Sequence, residues 1–412
     1  MSDIVVIGAG VVGVTTALAL QTEGHSVRLI DRGEVGMATS RGNAGAFAFA
    51  DIEPLATPGV MRRAPRFLLD PLGPLSIPPA QAVRMIPWLW RFWRASRPQR
   101  HAAAVAAQAS LMDISRTALD DLIAAVNGEP LMRREGQLQL YEGEPAFRAS
   151  LPGWDLRRAH GVAFDLLDGA EAITEIQPGL SPRFTHAGFV PAWMNTTDPF
   201  AWVQHLAQAF VARGGTIARH YVQALVHGAD GVTVKTATGP LTGARVVVAA
   251  GAWSHQLART LGDRVPLDTE RGYNATFAAG GTALHTHLTF PDHGFVVTRI
   301  GDGVRVGGAV ELGGLDRAPD WRRADVLADK ARAFLPLLTL RDGVRWMGCR
   351  PSTPDSLPMI GHAPRSDRVT YAFGHGHLGL TQAAGTAQLV ADLVAGRAPG
   401  IDLTPFAATR FR

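Results

Sequence analysis

The first thirty residues switch from a strand pattern to a helix pattern and back. The run Ile4–Ile7 is wholly apolar, as is typical of a parallel strand buried on both faces. Residues 14–23 then place valine, alanine and leucine at helical spacing, and Gly24 supplies a helix stop. The sequence SVRLID follows as a second strand that ends in Asp31. The pattern therefore predicts a β-α-β unit.

The turn between the first strand and the helix carries three glycines spaced as G-x-G-x-x-G. Gly8 permits a tight turn, Gly10 lets a pyrophosphate approach the backbone, and Gly13 allows close packing of helix and strand. Asp31 stands where a carboxylate can accept hydrogen bonds from ribose hydroxyls. Because all these parts occur in register, the unit predicts dinucleotide binding rather than a purely structural glycine turn.

Later segments of the chain also show the helix pattern and the strand pattern. Residues 97–126 predict a long amphipathic helix that ends at Asn127, and residues 197–215 predict a helix with Asp198 as N-cap and Pro199 as its first residue. Alternating segments predict an antiparallel sheet; they lie at residues 136–141, 186–192, 284–290, 293–300 and 303–312.

Composition narrows the class of protein. The chain has 412 residues, enough for two or three domains, and its 46% hydrophobic and 18% charged residues are ordinary for a globular protein. The formal net charge of +4 is not gathered into an aromatic-interleaved basic tract, so we expect no nucleic-acid partner. The one cysteine, Cys349, excludes an intrachain disulfide and a CxxC site, which fits a reducing compartment.

Localisation rests on the start of the chain and on one aromatic segment. We expect no leader and no transmembrane helix, and therefore a cytoplasmic protein. Residues 81–94, QAVRMIPWLWRFWR, combine tryptophans with arginines, and Pro87 is expected to interrupt or start a helix there. Residues 84–94 could lie on the inner face of the cell membrane. The favoured alternative is a helix that packs its tryptophans inward.

Residues 36–45, GMATSRGNAG, do not continue into the crossover helix expected after a nicotinamide-binding unit. The segment suits a loop that lies along a larger cofactor, although an ordinary surface loop is the alternative. Thr39 and Ser40 can donate to phosphate, and Asn43 can donate to a ring carbonyl.

Several segments together carry a family resemblance. They are TSRGNAG (39–45), ARHYVQAL (218–225), VVVAAGAW (246–253), GCRPSTPDSLPMIG (348–361), GHGHLGLT (374–381) and IDLTPFAATRF (401–411). In this order they resemble the D-amino-acid oxidase/dehydrogenase superfamily of FAD enzymes, and most of all its bacterial D-amino-acid dehydrogenase branch, which includes D-hydroxyproline dehydrogenases. The resemblance covers nearly the whole chain.

The resemblance implies an α/β protein with a discontinuous, Rossmann-like FAD-binding domain and an α+β substrate domain whose sheet is mainly antiparallel. The FAD domain is expected at 1–52, 163–264 and 345–412, and the substrate domain at 53–162 and 265–344. FAD is expected to bind without a covalent link. The expected cofactor contacts are Gly8, Ala9, Gly10, Val11, Val12, Gly13, Asp31, Arg32, Thr39, Ser40, Gly42, Asn43, Ala44, Gly45, Val222, Ala250, Gly251, Gly376, His377, Leu378, Gly379, Leu380 and Thr381.

Three residues are expected at the substrate. Arg350 matches the family's arginine in GCRP and would hold a carboxylate in two parallel bonds, with a structural salt bridge as the alternative. Tyr273, in ERGYNATF, resembles a family segment beside the substrate, where its hydroxyl would assist the carboxylate or shield the pocket; a buried core tyrosine is the alternative. His377 is expected to border the flavin or the substrate. No residue is assigned with certainty to catalysis itself.

Histidines and the cysteine raise other possibilities. In GHGHLGLT the two histidines lack further ligands nearby, so no metal is expected; the glycines suit a backbone that lies against a flat ring with its N–H groups at the ring edge. The histidines of residues 285–287 and His293 are interpreted as surface or strand positions. Cys349 is a minor candidate for a covalent flavin link, as in the related sarcosine oxidases.

The resemblance implies oxidative deamination of a D-amino acid or a cyclic imino acid of the D-proline or D-hydroxyproline type, with hydride transfer from the α-carbon to flavin N5. The alternatives are a glycine/sarcosine-type amine oxidase and the flavin subunit of a multi-subunit dehydrogenase. The expected partner is a small amino-acid substrate, and the electron acceptor, a quinone or oxygen, is left open.

Overall fold

The computed structural model describes residues 2–62, 72–73, 75–228, 230–281 and 283–411. Within them, the helices are α1 (Val11–Thr22), α2 (Pro79–Ala95), α3 (Pro98–Ala125), α4 (Gly143–Ala159), α5 (Ala170–Ile176), α6 (Pro199–Ala212), α7 (Ser254–Thr260), α8 (Arg322–Phe334) and α9 (Gly379–Ala395). The strands are β1 (Asp3–Ile7), β2 (Ser26–Asp31), β3 (Ala46–Phe47), β4 (Leu75–Ser76), β5 (Met132–Arg133), β6 (Gln137–Tyr141), β7 (Asp165–Asp168), β8 (His186–Val190), β9 (Met194–Thr196), β10 (Thr216–Arg219), β11 (Val222–His227), β12 (Val232–Thr236), β13 (Gly239–Gly243), β14 (Arg245–Val248), β15 (Asp268–Gly281), β16 (His287–Phe290), β17 (Phe295–Ile300), β18 (Gly303–Glu311), β19 (Leu338–Ser352), β20 (Met359–Ala363) and β21 (Ser366–Phe373).

A six-stranded sheet forms the first layer, in the order β10-β2-β1-β14-β21-β20. Its strands are parallel except for β20, which pairs antiparallel with β21. Ile4 and Val6 of β1 belong to the hydrophobic core shared with α1 and α9, whereas Val5 and Ile7 pack with the β11-β12-β13 sheet. A strand buried on both faces explains the continuous apolar run and confirms the predicted β-α-β unit.

A second, larger sheet has the strand order β19-β15-β18-β17-β16-β6-β8-β7, with β4 added beside β18. Its pairs are antiparallel except for β6 with β16 and β4 with β18. One face packs a phenylalanine-rich core against α8, to which Phe290, Phe295 and Phe334 contribute. The predicted α/β class and the mainly antiparallel second sheet are confirmed.

The pairing of elements differs from the expected division of the chain. Strands β7 and β8 belong to the large sheet, although the FAD domain was expected to resume at residue 163. Helix α3 packs with α9 in the core of the first layer, although residues 53–162 were assigned to the substrate domain. A Cβ on Gly385 would lie 2.3 Å from the Ser115 hydroxyl oxygen, which shows how closely the two helices approach. Sequence order alone does not reveal such exchanges.

Local signals placed the helices well. The predicted helix at 97–126 is α3, and α6 begins after Asp198, whose Oδ1 accepts hydrogen bonds from Phe200 N at 2.7 Å and Ala201 N at 3.3 Å. Pro87 neither starts nor interrupts a helix, because α2 continues through it. Among the described residues, no helix is both long and apolar enough to cross a bilayer.

Candidate functional site

A cavity of about 600 Å³ lies between the two sheets. On one side it is bounded where β1, β2, β14 and β21 end, at the carboxyl edge of the parallel sheet. This edge is the usual ligand position in open α/β sheets. On the other side it is roofed by β6 and β15–β18 of the large sheet. The cavity therefore lies between the carboxyl edge of the parallel sheet, where ligands usually bind, and a second wall formed by the large sheet.

The glycine turn after β1 leaves no room for side chains at two of its positions. Gly8 has φ 110°, and a Cβ there would lie 2.3 Å from the Ala249 carbonyl oxygen. A Cβ on Gly13 would lie 1.7 Å from the Gly8 carbonyl oxygen. A Cβ on Gly10 would meet only the Ser40 hydroxyl oxygen, at 3.3 Å. Gly10 is thus needed for an approaching ligand rather than for the chain itself.

Asp31 is fixed by the turn that it faces. Its Oδ2 accepts a hydrogen bond from Ala9 N at 2.7 Å, and its Oδ1 accepts one from Gly33 N at 2.8 Å. Each carboxylate oxygen can accept a further bond, so the side chain retains capacity toward the cavity that it lines. Arg32 beside it lies over the Trp253 ring at 3.8 Å.

The hydroxyls of residues 39 and 40 take different roles. Ser40 Oγ accepts a hydrogen bond from Val11 N at 3.0 Å, which leaves its own proton available at the first turn of α1. Thr39 Oγ1 instead donates to the Cys349 carbonyl at 2.7 Å, so the predicted donation of Thr39 to phosphate is wrong. Asn43 lines the cavity, and its Oδ1 accepts from Gly45 N at 2.8 Å, which leaves its NH₂ group as a donor.

Two residues that sequence analysis missed hold this loop against the roof. The Arg305 guanidinium donates to the carbonyls of Arg41 and Asn43, and Asn274 Nδ2 donates to the Gly42 carbonyl at 2.8 Å. Burial lowers the pKa of Arg305 to about 10. These contacts join segments more than two hundred residues apart, and no local motif marks them.

GHGHLGLT is a sharply turned segment at the cavity wall. Gly374 has φ 89° and Gly376 has φ 54°, conformations that favour glycine. The Gly376 N–H donates to the Pro351 carbonyl at 2.7 Å, so the prediction that it points at a ring edge is wrong. Gly379 and Leu380 open α9 at the wall. There the first N–H groups of the helix lack intrahelical partners.

The two histidines of this segment differ. His375 is buried, and its Nε2 lies 2.9 Å from Thr386 Oγ1. His377 lines the cavity with an exposed side chain, and enclosure by the cavity walls together with the nearby Arg350 charge lowers its pKa to about 4. His377 is therefore neutral at physiological pH.

Most predicted cofactor contacts line the cavity. Those that lie behind its wall are Ala9, Gly13, Gly45 and Thr381. Thr381 Oγ1 accepts a hydrogen bond from Ala48 N at 2.9 Å and so ties the loop at residues 46–48 to α9. These residues shape the wall from behind instead of forming it.

Arg350 lies in the cavity wall with its guanidinium folded over Gly272. A Cβ on Gly272 would lie 2.4 Å from the Arg350 Cζ. In the part of the chain that the structure describes, the Arg350 side chain has no hydrogen bond or ion pair, contrary to the salt-bridge alternative. Burial lowers its pKa, and the Glu270 charge opposes that shift. A half-buried guanidinium that opens into a cavity and has no such partner is suited to an anionic ligand.

Glu270 is a second charged group at this wall, and sequence analysis missed it. Glu270 lies directly opposite Arg350 in the register of strands β15 and β19, and only 6% of its surface is exposed. Burial raises its pKa, while the Arg350 charge and the Ser352 hydroxyl lower it. The wall thus offers a cation and a carboxyl group on neighbouring strands.

Tyr273 contributes to the wall, but its hydroxyl is engaged elsewhere. It donates to Glu311 Oε2 at 2.6 Å and accepts from Asp320 N at 3.2 Å, and burial together with Glu311 raises its pKa to about 12. Successive strand residues point to opposite faces, so this hydroxyl lies on the face away from Glu270. The predicted role of the hydroxyl at the substrate is wrong, and the core-tyrosine alternative describes it.

The far wall is polar and uncharged. Gln137 pairs with His287 and Gln139 with Thr289 on adjacent strands, and all four line the cavity. Gln137 Nε2 donates to Thr289 Oγ1 at 2.8 Å. Burial lowers the pKa of His287 to about 3, so it is neutral. His287 is indeed a strand residue, but it faces a ligand-sized space rather than the surface.

Comparison with known proteins decides the class. A family model described as FAD dependent oxidoreductase (DAO) matches residues 3–393. The chain belongs to this family. It is therefore an oxidoreductase that uses FAD, as the resemblance implied.

Relatives in the DAO family cover the chain from end to end. A D-amino-acid oxidase from Bradyrhizobium diazoefficiens is 39% identical, covering 99% of this chain and 98% of its own. A D-amino acid dehydrogenase from Phenylobacterium zucineum is 34% identical over 98% and 96%. A glycine oxidase structure from Geobacillus kaustophilus, at 21% identity, has a TM-score of 0.78 with coverage of 99% and 98%. That structural likeness shows the DAO fold.

The cavity fits the FAD of the DAO family. Three features suit the dinucleotide portion of FAD. They are the space beside Gly10, the carboxylate of Asp31 and the free hydroxyl proton of Ser40. Cys349 does not line the cavity; it pairs with Arg271 on the neighbouring strand, and burial raises its thiol pKa. Its placement gives no support to a covalent flavin link. Among the described residues, no group of three or more histidine, cysteine or acidic side chains could hold a metal ion.

Two buried histidines should make this DAO protein less stable in acid. Burial lowers the pKa of both His287 and His375 to about 3 from a usual 6.5. Below pH 6.5 the unfolded chain binds protons that the folded chain does not, so stability falls as pH falls. We expect the free energy of unfolding to drop by up to about 1.4 kcal/mol per histidine for each pH unit.

The pH dependence of thermal unfolding tests this expectation. His375→Asn should flatten the decline between pH 6.5 and pH 5, whereas His227→Asn, at an exposed position, should leave it unchanged. An equally steep decline in the His375 variant would contradict it.

Proposed function

We propose that this protein oxidises a D-amino acid, or a cyclic imino acid of the D-proline or D-hydroxyproline type, to the corresponding imino acid. The observation that carries the proposal is Arg350, a half-buried guanidinium at the cavity wall whose side chain makes no hydrogen bond or ion pair among the described residues. A carboxylate is the anion that its planar fork binds in two parallel bonds. The names of the full-length relatives from Bradyrhizobium and Phenylobacterium support D-configured substrates.

FAD, when bound, supplies the hydride acceptor for the substrate α-carbon. The task of the protein is to orient that carbon. Arg350 would hold the carboxylate, and Glu270, on the neighbouring strand, would accept a hydrogen bond from the amine. Two fixed points on one substrate restrict its rotation and so help to turn its single α-hydrogen toward the acceptor.

His377 would act on the proton of the substrate amine. Its ring lines the cavity and, with a pKa of about 4, is neutral near pH 7. A neutral imidazole accepts a hydrogen bond, and the reaction needs an amine that has lost its extra proton. We propose His377 as a positioning residue for the neutral amine.

The polar far wall supports a polar, uncharged substrate side chain. Gln139 and Thr289 offer amide and hydroxyl groups there. A ring hydroxyl, as in D-hydroxyproline, could pair with such groups, whereas a charged side chain would find no counter-ion in His287, which is neutral.

Anaerobic bleaching of the flavin absorbance tests the proposal. The panel contains D-amino acids, D-proline, D-hydroxyproline, their L-enantiomers, glycine and sarcosine. We expect bleaching by D-configured or cyclic D-substrates, fastest with neutral polar ones. Bleaching by sarcosine or glycine alone would instead establish an amine oxidase of that type.

The electron acceptor is tested with the same substrates. Hydrogen peroxide formation in air would identify an oxidase, and turnover only with an added quinone would identify a dehydrogenase. Bleaching without turnover until a second protein is added would establish the flavin subunit of a larger enzyme.

A further inference from the structure

Helix α2 has two apolar faces, and only one of them is covered. Met85 and Trp88 are 0% and 8% exposed and pack against Leu312 after β18. The opposite face carries large apolar side chains at helical spacing of three and four residues. They are Val83, Ile86, Trp90 and Trp93, exposed by 74%, 59%, 50% and 43%. The favoured expectation of inward tryptophans holds for Trp88 alone.

The charges in the segment that carries this stripe have one sign. From residue 71 to residue 112 the sequence has no aspartate or glutamate, and its arginines are Arg84, Arg91, Arg94, Arg97 and Arg100. Arg94 lies over the Trp90 ring at 4.6 Å, and Arg97 over the Trp93 ring at 4.8 Å. Tryptophan flanked by arginine is typical of helices that lie in the interface of a membrane.

We propose that the outer face of α2 binds the surface of an anionic lipid bilayer. Its apolar side chains would enter the boundary between headgroups and acyl chains, and its arginines would contact lipid phosphates. The helix would lie flat on the membrane rather than cross it. The cytoplasmic location expected from the sequence would then be a peripheral one, on the inner face of the cell membrane.

The charge pattern favours a lipid surface over a second copy of this chain. In a twofold dimer the same patch would face itself, so Arg94 and Arg97, which lie over the exposed tryptophans, would meet their own copies without an acidic partner from residues 71–112. An anionic bilayer supplies the opposite charge over the whole stripe. It also provides an apolar layer for four side chains that water now contacts.

The membrane face would adjoin the active site. Val310, which packs with the Met85 cluster beneath α2, also lines the cavity. Helix α2 and the Met85 cluster beneath it therefore lie between the proposed lipid face and the cavity wall. This placement would suit an electron acceptor that is dissolved in the bilayer. Only the link to the electron acceptor rests on the proposed function; the lipid contact does not.

Vesicle flotation of the FAD-loaded, full-length protein tests the lipid contact without using activity. We expect binding to phosphatidylglycerol/phosphatidylcholine vesicles, weaker binding to phosphatidylcholine alone, and loss of binding as salt is raised. Tryptophan fluorescence should shift to shorter wavelength on binding. The double variant Trp90→Gln/Trp93→Gln should bind at least roughly tenfold more weakly while it retains its flavin absorbance.

A matched control uses exposed apolar residues elsewhere. Leu337→Gln/Val344→Gln removes side chains that are 61% and 66% exposed on another surface, and it should bind vesicles like the wild type. Equal loss in both variants, or no binding to anionic vesicles at low salt, would overturn the proposal. A dimer in light scattering that only the tryptophan variant converts to a monomer would assign the stripe to a second copy instead.

Discussion

Arg350→Lys should raise KM for the amino-acid substrate by on the order of 100-fold, with a smaller fall in kcat. Lysine keeps the positive charge but replaces a planar fork of donors with a single ammonium group. Because the half-buried guanidinium lies over Gly272 without a side-chain partner among the described residues, the wild-type side chain is free to bind a carboxylate. Steady-state kinetics with the best substrate of the panel measures both constants.

Arg350→Ala should lose more, on the order of 1,000-fold in kcat/KM, since the substrate carboxylate is then buried without a counter-charge. Added guanidinium ions should restore part of this activity. A simple carboxylate should perturb the flavin spectrum of the wild type but not of this variant.

Arg345→Lys is the matched control. Arg345 lies on the same strand, and its guanidinium pairs with Asp325 at 2.9 Å, with the side chain half exposed. Its kinetics should equal those of the wild type. Near-normal kinetics for both Arg350 variants would remove Arg350 from the substrate site.

Gly13→Ala should prevent formation of a stable, FAD-loaded protein. The new Cβ would lie 1.7 Å from the Gly8 carbonyl oxygen, so α1 would have to move away from β1. We expect a loss of ~3 kcal/mol or more in the free energy of unfolding. Denaturant unfolding and the ratio of flavin to protein absorbance measure the two effects.

Gly10→Ala separates cofactor binding from folding. Gly10 has φ −77°, which alanine adopts freely, and a Cβ there meets only Ser40 Oγ at 3.3 Å. The protein without cofactor should keep its stability, while FAD affinity should fall by roughly tenfold or more, because the methyl group occupies the path of the pyrophosphate. Unchanged FAD affinity would show that the pyrophosphate lies elsewhere.

Neighbouring residues in the sequence were enough to predict several elements. The β-α-β unit, the cap at Asp198 and helix α3 follow from periodicity and capping within a few residues. The positions of Gly8, Gly10 and Asp31 in the cavity wall follow in the same way, since their spacing along the chain places them at one edge of the parallel sheet. Local chemistry therefore predicted the cofactor half of the site.

The substrate half depended on contacts between distant strands. Glu270 faces Arg350 only because β15 and β19 pair in that register, and a shift of one residue would turn it to the opposite face. Strand register also directs Tyr273 away from the substrate side, because its hydroxyl donates to Glu311 on the other face of the sheet. Arg305 reaches the loop at residues 41–43 through strand pairing alone.

GHGHLGLT shows both contributions. Its glycines predicted a tight backbone at the cofactor, and Gly374 and Gly376 do adopt left-handed conformations there. Only the folded chain decided that the Gly376 N–H bonds to Pro351, that His375 is buried against Thr386, and that the His377 side chain is exposed in the cavity. The sequence by itself determined the dinucleotide turn, helices α1, α3 and α6, and the FAD class. The tertiary structure decided which side chains face the substrate, because strand register and layer packing set the direction of each side chain.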